Sequence, residues 1–153
     1  AYCEDTDLGL RGRLKGWKAV LAPSAIVYHF YSGTAGRYSP LKAYFVERNH
    51  YWVALKIFPL RLLLMLPFFT LLRLVVQTYN VFVYFGKTNT QGEKICKHRI
   101  FLAILKAHVW AICGLPAVFK KRRIVWAKKK VSNSQIYDWF KRFRLSVKSL
   151  TLN

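Results

Sequence analysis

The combination of very high positive charge and high apolar content most limits how this chain can fold. Lys and Arg number 26 against six Asp and Glu, for a formal net charge of +20, and 54% of the 153 residues are hydrophobic. Such a charge attracts phosphate, on lipid headgroups, on nucleic acid or on a phosphorylated substrate. A disordered nucleic-acid arm would be polar, so this apolar composition favours a membrane surface.

Two further classes of protein find little support. No RNP-type aromatic strand, zinc-finger spacing or recognition helix accompanies the charge, which argues against a nucleic-acid binder. The three cysteines, Cys3, Cys96 and Cys113, form no C-x-x-C pair. The sequence therefore predicts neither a disulfide framework nor a zinc site, and it favours reduced thiols on the cytosolic side.

The first 59 residues predict a mixed α/β segment. Residues 5–16 favour a short helix, capped by Asp5 or Thr6, with an Asp7–Arg11 pair and Gly16 at its end. Residues 17–22 and 25–31 are rich in β-branched and aromatic types and predict two strands, followed by a glycine loop at 32–38. A second helix is expected from Ser39-Pro40 to about residue 57, before Pro59.

The remaining chain predicts membrane-associated helices. Sixteen strongly apolar side chains in residues 62–85 favour bilayer insertion, but Arg73, Pro67 and two amides offset them, so the sum lies near zero. Residues 100–119 are similarly interrupted. We therefore expect amphipathic helices in or dipping into the interface. The predicted boundaries are the mixed α/β portion at 1–59, hydrophobic helices at 60–119, and a basic amphipathic tail at 120–153.

An acidic run is the most unusual local feature, since three of the six acids lie between residues 4 and 7. One interpretation is a capped helix start, in which the carboxylates interact with the helix dipole. The other is a general base or a metal site, because crowded like charges shift one another's protonation. Position alone does not decide between these interpretations.

The surrounding motif resembles the second half of the catalytic domain in family-2 glycosyltransferases, which have the GT-A fold. That pattern runs E-D-x-D-L-x-x-R, a G-W pair, a strand ending in Pro and a strand closing with His. It is matched here by Glu4-Asp5-Thr6-Asp7-Leu8…Arg11, Gly16-Trp17, Pro23 and His29, and then by Glu47-Arg48-Asn49 and Phe58-Pro59. The similarity is nearest to rhamnosyltransferase-type members and covers roughly residues 1–60. It implies an α-dominated α/β fold.

The resemblance also implies roles for individual residues. Asp5 matches the general base that deprotonates the acceptor hydroxyl, and its neighbour Glu4 is expected to orient the acceptor or the backbone. His29 matches a ligand of the divalent metal, Mg²⁺ or Mn²⁺, that bridges the donor diphosphate; a backbone-bonded histidine at a sheet edge is the alternative. Arg37 and Arg48 are expected to contact donor phosphates, and Asp7 is expected to pair with Arg11 outside the catalytic set.

Together these observations predict a fragment of an inverting transferase at the cytoplasmic face of the cell membrane. Its substrates would be a nucleotide-sugar and a lipid-linked or cell-envelope glycan acceptor. The donor-binding half of the family, with its D-x-D carboxylates, is expected upstream of Ala1, so the 153-residue chain alone is predicted to be inactive. The alternative is a non-enzymatic, cationic membrane-binding module.

Overall fold

A computed structural model describes residues 2–28, 39–84 and 97–143, and these form six helices without a strand. The helices are α1 (Glu4–Leu14), α2 (Pro40–Ile57), α3 (Leu60–Tyr84), α4 (Lys97–Cys113), α5 (Leu115–Ala127) and α6 (Asn133–Arg142). The expectation of an α-dominated fold is therefore confirmed.

Helix α1 follows the prediction except at its start. It begins at Glu4, after Cys3 in a left-handed conformation, and no side chain caps it. The predicted cap at Asp5 or Thr6 is therefore wrong; both residues lie in the first turn, where a carboxylate still interacts favourably with the helix dipole. The predicted end is confirmed, because Gly16 has φ +84°, a conformation that costs glycine little.

The predicted strands are absent from the described residues. Residues 17–22 and 25–28 form no regular secondary structure, and Val20 and Leu21 are 86% and 88% exposed. A strand needs a neighbour to satisfy its backbone and cover its apolar face, and no described segment supplies one. The α/β expectation is thus wrong for this part of the chain. Residues 29–38, including the rest of the second strand and the glycine loop, lie outside the described ranges.

Helix α2 begins and ends as predicted. The Ser39 Oγ accepts a hydrogen bond from the Lys42 backbone N–H at 3.1 Å, which satisfies one of the unpaired donors of the first turn. Pro40 occupies the first helical position, where its missing N–H costs nothing. The helix ends at Ile57, two residues before Pro59.

The two apolar segments are helical, but they differ in continuity. Helix α3 runs through Pro67 without ending. The predicted segment at 100–119 is divided by Gly114 into α4 and α5. Among the described residues no single helix is both long and apolar enough to cross a bilayer, whereas residues 98–113 and 115–127 meet that test jointly as a pair bent by 61°.

The chain packs as two compact units. The first contains residues 1–57 and 95–131 and therefore α1, α2, α4 and α5. The second contains residues 58–94 and 132–153 and therefore α3 and α6. This division into units is based on which segments pack together. The boundaries predicted after residues 59 and 119 are based on hydropathy and charge, and they stay a prediction.

The first unit is built around α2. Its buried apolar core contains Leu14, Val53, Ala54, Ile57, Ala107, Ala111, Val118 and Val131. Polar contacts fix the neighbouring helices: Trp52 Nε1 donates to the Ala111 carbonyl at 3.2 Å, and Trp126 Nε1 donates to the Lys56 carbonyl at 3.2 Å. A backbone bond from the Lys130 N–H to the Leu14 carbonyl (2.9 Å) joins the end of α1 to the segment after α5.

The second unit has a smaller set of contacts. The rings of Phe58 and Phe140 meet edge to face, with 4.9 Å between centroids, and the Arg61 guanidinium lies 5.8 Å from the Tyr137 ring centroid. Helix α6 begins with a capping box, in which Ser132 and Gln135 exchange side-chain and backbone hydrogen bonds. This helix lies within the predicted tail at 120–153 and ends at Arg142.

Candidate functional site

The two predicted catalytic carboxylates lie exposed in the first turn of α1. Asp5 Oδ1 accepts hydrogen bonds from the Thr6 backbone N–H (2.7 Å) and, at 3.4 Å, from the Thr6 hydroxyl. Its second oxygen, Oδ2, has no hydrogen-bond partner among the described residues. One oxygen of Asp5 is therefore oriented by the backbone, and the other is open to solvent or to a bound hydroxyl.

Asp7 has a different environment from Asp5. Its carboxylate pairs with the Arg11 guanidinium at 2.9 Å, as predicted, and also with the Lys56 ammonium at the end of α2. Two cations therefore compensate Asp7, and the pair with Lys56 joins α1 to α2. This carboxylate serves packing, which agrees with its exclusion from the predicted catalytic set.

The Glu47-Arg48-Asn49 tripeptide of α2 holds the segment that leads into α1. The Asn49 side-chain N–H donates to the Tyr2 carbonyl at 3.0 Å. In turn, the Asn49 Oδ1 accepts from Arg48 Nε at 3.1 Å and from Arg48 Nη2 at 3.0 Å. The tripeptide thus binds the backbone of Tyr2, two residues before the acidic run begins at Glu4.

The Arg48 guanidinium lies among aromatic rings. It is 4.3 Å from the Trp52 ring centroid, 5.0 Å from that of Phe45 and 5.1 Å from that of Tyr44. Arg48 Nη1 also donates to the Tyr44 hydroxyl at 3.2 Å. Stacking and hydrogen bonding together orient this half-buried cation. Its predicted contact with a donor phosphate stays a prediction, and His29 and Arg37 lie outside the described residues.

A polar cluster of Glu47, Tyr51 and His108 joins α2 to α4. Glu47 is only 4% exposed, and its Oε1 lies 3.9 Å from His108 Nε2. His108 Nδ1 lies 2.8 Å from the Ile104 carbonyl, an acceptor, so Nδ1 carries a proton. In the neutral ring Nε2 then accepts a hydrogen bond from the Tyr51 hydroxyl, at 2.9 Å.

Sequence reasoning missed this cluster and considered Glu47 only as part of the Glu47-Arg48-Asn49 tripeptide. Glu47 and Tyr51 are four residues apart on one helix, a spacing that places them on a common face. Their partner His108 lies 57 residues beyond Tyr51 along the chain, and no local pattern predicts that distance. The available signal for a polar cluster was the presence of an acid, Glu47, and a hydroxyl group, that of Tyr51, on the apolar face of the predicted helix.

Negative charge converges around the Cys3 thiol. Burial, and then the negative charges of Asp5, Glu4 and Glu47, raise the pKa of Cys3 above its usual value. Three carboxylates from two helices therefore act on one point at the start of α1. In the part of the chain that the structure describes, no group of three or more His, Cys, Asp or Glu side chains is arranged to hold a metal ion.

Comparisons with known protein families, with curated proteins and with solved structures find no match to this chain.

The described arrangement leaves carboxylates of the type predicted open to solvent at the start of α1. Asp5 presents an unengaged carboxylate oxygen at the exposed start of a helix, and the segment before it is held by Asn49. A carboxylate so placed can accept a proton from a hydroxyl that binds against it. Glu4 adds a second exposed acid one residue away, which can orient such a hydroxyl.

Proposed function

We propose that this chain is the carboxy-terminal part of an inverting family-2 glycosyltransferase of the rhamnosyltransferase-like type. The complete enzyme transfers a sugar from a nucleotide-sugar to a lipid-linked or cell-envelope glycan acceptor. In this proposal the chain contains the end of a GT-A domain, followed by membrane-associated helices. Its basis is the motif of residues 4–29 and 47–59 in the sequence.

The observation that carries the proposal is the exposed Asp5 at the start of α1, tethered through Tyr2 to the tripeptide of the same motif. An acidic run that only capped a helix would not need a second motif element to hold its approach. Here the Asn49 amide bonds to the Tyr2 carbonyl, and Arg48 orients that amide.

In the proposed reaction Asp5 is the base. The acceptor hydroxyl oxygen attacks the anomeric carbon from the face opposite the nucleotide, and the bond to the nucleotide diphosphate breaks. Asp5 takes the hydroxyl proton as the new bond forms, and the diphosphate leaves with the bonding electron pair. A single displacement of this kind inverts the anomeric configuration. Positioned base catalysis contributes about 10²- to 10⁴-fold to such rates.

A divalent ion, Mg²⁺ or Mn²⁺, would neutralise the charge of the donor diphosphate. His29 is the candidate ligand in this chain, and the rest of its ligands would come from the donor-binding half. Arg37 and Arg48 are proposed to contact the phosphates, since a guanidinium binds such oxygens through paired N–H groups. The proton transfer at Asp5 is independent of where the ion binds.

The proposal predicts what precedes this chain. The reading frame upstream of Ala1 is expected to encode a β-rich stretch that ends in a D-x-D pair. Sequencing that DNA is the quickest test. An upstream region without these features would contradict the assignment to a GT-A domain.

The decisive activity test replaces Asp5 in the complete enzyme. We expect Asp5→Asn to lower sugar transfer about 10²- to 10⁴-fold, because an amide cannot accept the proton. Asp138→Asn is the matched control, since it makes the same change at an exposed carboxylate of α6. Undiminished transfer by Asp5→Asn would overturn the assignment.

The isolated 153-residue chain is expected to turn over none of a panel of nucleotide-sugars.

The second candidate function is a cationic membrane-binding module without enzymatic activity. The exposed apolar side chains of α3 and α4 favour it, among them Leu64, Phe68, Phe101 and Leu105. The Asp5 experiment separates the two functions, because a membrane-binding module would transfer no sugar even as the complete protein. Both candidates place the protein at the cytoplasmic face of the membrane.

A further inference from the structure

Helix α4 has the reverse of the polarity expected for a helix in a water-soluble protein. The face that packs toward the interior carries small residues: Ala107 is 0% exposed and Ala111 is 6% exposed. The opposite face carries large apolar side chains, each between 54% and 67% exposed: Phe101, Leu102, Leu105, Val109 and Ile112. With about 100° of rotation per residue, these five fall within a sector of about 100°.

The interior face of α4 is fully engaged by α2. Trp52 Nε1 donates to the Ala111 carbonyl, and the Tyr51 hydroxyl contacts His108. Alanines at four-residue spacing allow the two helices to approach closely, as in helix pairs within membranes. The large apolar face is therefore not a core surface of this unit, and among the described residues nothing covers it.

Residues that suit a membrane interface border this apolar face. Arg99, Lys106 and Trp110 follow one another along one edge of the sector, and all three are exposed. Long cationic side chains and tryptophan at such an edge can place apolar atoms among acyl chains and polar atoms at headgroup level. The helix has 17 residues, about 25 Å, which is shorter than the roughly 30 Å hydrocarbon core of a bilayer.

The next helix, α5, carries positive charge, which is complementary to the negative phosphates of anionic phospholipid. Helix α5 continues from α4 through a bend of 61°, and its outer face is basic. The exposed cations of α5 and the residues just after it are Lys120, Lys121, Arg123, Lys128 and Lys130. In the described part of the chain none of them forms an ion pair with an acid. Phe119 and Ile124 are 47% and 54% exposed beside them.

We infer that α4 and α5 together form a docking surface for an anionic phospholipid bilayer. The apolar face of α4 lies along the interface among the acyl chains, and the basic face of α5 lies at the level of the lipid phosphates. A nucleic acid would match the charge of α5 but leave the apolar face of α4 in water. This inference names the surface that binds lipid and holds whether or not the chain belongs to a sugar transferase.

Flotation of the full chain with vesicles tests the apolar face. The chain is synthesised in a cell-free system with vesicles of phosphatidylcholine mixed with phosphatidylglycerol. We expect Leu105→Asp/Val109→Asp to weaken vesicle binding about thirtyfold or more, because two half-exposed apolar side chains lose their burial in lipid. The matched control is Val20→Asp/Leu21→Asp, with the same residue types and charge change at exposed positions outside α4. An equal loss in both variants would overturn the inference.

The basic face has its own pair of variants. Lys120→Gln/Lys121→Gln is expected to weaken binding to the anionic vesicles about fivefold per lysine, and to leave binding to pure phosphatidylcholine unchanged. Lys15→Gln/Lys18→Gln removes two exposed lysines elsewhere in the same unit and is expected to have a smaller effect. Equal binding of the unaltered chain to both kinds of vesicle would contradict the role of α5.

A fluorescent label on Cys113 reports the depth of α4 directly. Cys113 is exposed at the end of α4, and Cys3 and Cys96 are replaced by Ser. An environment-sensitive dye there is expected to shift to the blue on vesicles, whereas the same dye on Leu8→Cys of α1 stays unchanged. The inference would be overturned if the unaltered chain did not bind vesicles but self-associated, and if Leu105→Asp/Val109→Asp abolished that self-association. A second copy of the chain would then be the partner that covers the apolar face of α4. Retention by nucleic acid without flotation would also overturn the inference.

Discussion

At Gly114 the backbone passes so close to the Trp52 indole that a side chain has no room. A Cβ on residue 114 would lie 2.5 Å from Trp52 Cζ2 and 2.8 Å from Cε2. The backbone there has φ −81°, which any residue adopts. Glycine is therefore required for space alone, at the point where α4 turns into α5 against α2.

Gly114→Ala is predicted to destabilise the first unit by about 1–3 kcal/mol, the typical cost of overpacking. Gly9→Ala is the control, since no atom lies within 4 Å of its added Cβ and alanine is the better helix former. Urea unfolding followed by tryptophan fluorescence measures both variants. Equal stability of Gly114→Ala and the unaltered chain would show that Trp52 has space to move.

Cys3 illustrates how residues from two helices set the chemistry of a third position. Its burial and the surrounding carboxylates raise its thiol pKa, so less thiolate forms at a given pH. We predict that alkylation of Cys3 continues to accelerate as pH rises past 9.0, the ordinary thiol value. Asp5→Asn should raise the rate at a fixed alkaline pH, because it removes a negative charge that opposes ionisation.

Mass spectrometry of alkylated peptides over a pH series measures this rate, and Asp138→Asn serves as the distant control. The shape of the pH profile separates the effect of pKa from simple shielding, which would slow the reaction equally at every pH. A Cys3 profile that levels off at or below pH 9.0 would contradict the predicted environment.

At the scale of helices, side chains of α5 donate hydrogen bonds to the last backbone carbonyls of α2. The last carbonyls of a helix have no partner within it. Here Arg122 Nη1 donates to the Leu55 carbonyl at 2.6 Å, and Trp126 Nε1 donates to the Lys56 carbonyl. The Arg122 guanidinium also lies 4.3 Å from the Trp126 ring centroid, and its partial burial lowers its pKa.

Arg122→Met is predicted to destabilise the packing of α5 on α2 by about 1–3 kcal/mol, the cost of leaving a buried acceptor unpaired. Arg123→Met removes the same charge from the adjacent exposed position and should change stability by less than about 0.5 kcal/mol. Urea midpoints and amide hydrogen exchange of residues 53–57 measure the effect. Equal losses in the two variants would indicate a general effect of charge.

At the scale of the whole chain, the net charge of +20 opposes folding. With 26 basic and six acidic side chains, most charge pairs repel. Raising sodium chloride from about 0.01 M to about 1 M shortens the Debye length from about 30 Å to about 3 Å. We therefore predict that the unfolding midpoint in urea rises with salt.

The replacement of Lys120, Lys121, Lys128 and Lys130 by Gln should weaken this dependence on salt, because it removes four of the repelling charges. A midpoint that falls with salt would show that the ion pairs of Asp7 with Arg11 and Lys56 outweigh the repulsion. The two results have opposite signs, so one titration distinguishes them.

Local signals in the sequence determined the helices well. Gly16 ended α1, Ser39 and Pro40 started α2, and Asp7 paired with Arg11, because caps, prolines and i,i+4 pairs act within a few residues of one another. The prediction of a strand at 17–22 was wrong, as was the described part (25–28) of the strand predicted at 25–31. A strand depends on a partner that local composition does not supply. The placement of Asp5 and Glu4 in an exposed first turn also follows from local pattern.

Only the tertiary structure decided which distant residues meet. The bond of Asn49 to the Tyr2 carbonyl, the Glu47–Tyr51–His108 cluster and the contact of Gly114 with Trp52 all join segments about 45 or more residues apart. Hydropathy marked α4 as apolar but gave no reason for its alanines to face the interior and its larger side chains to face outward. That orientation depends on the packing of α4 against α2, because Ala107 and Ala111 of α4 permit a close approach of the two helices.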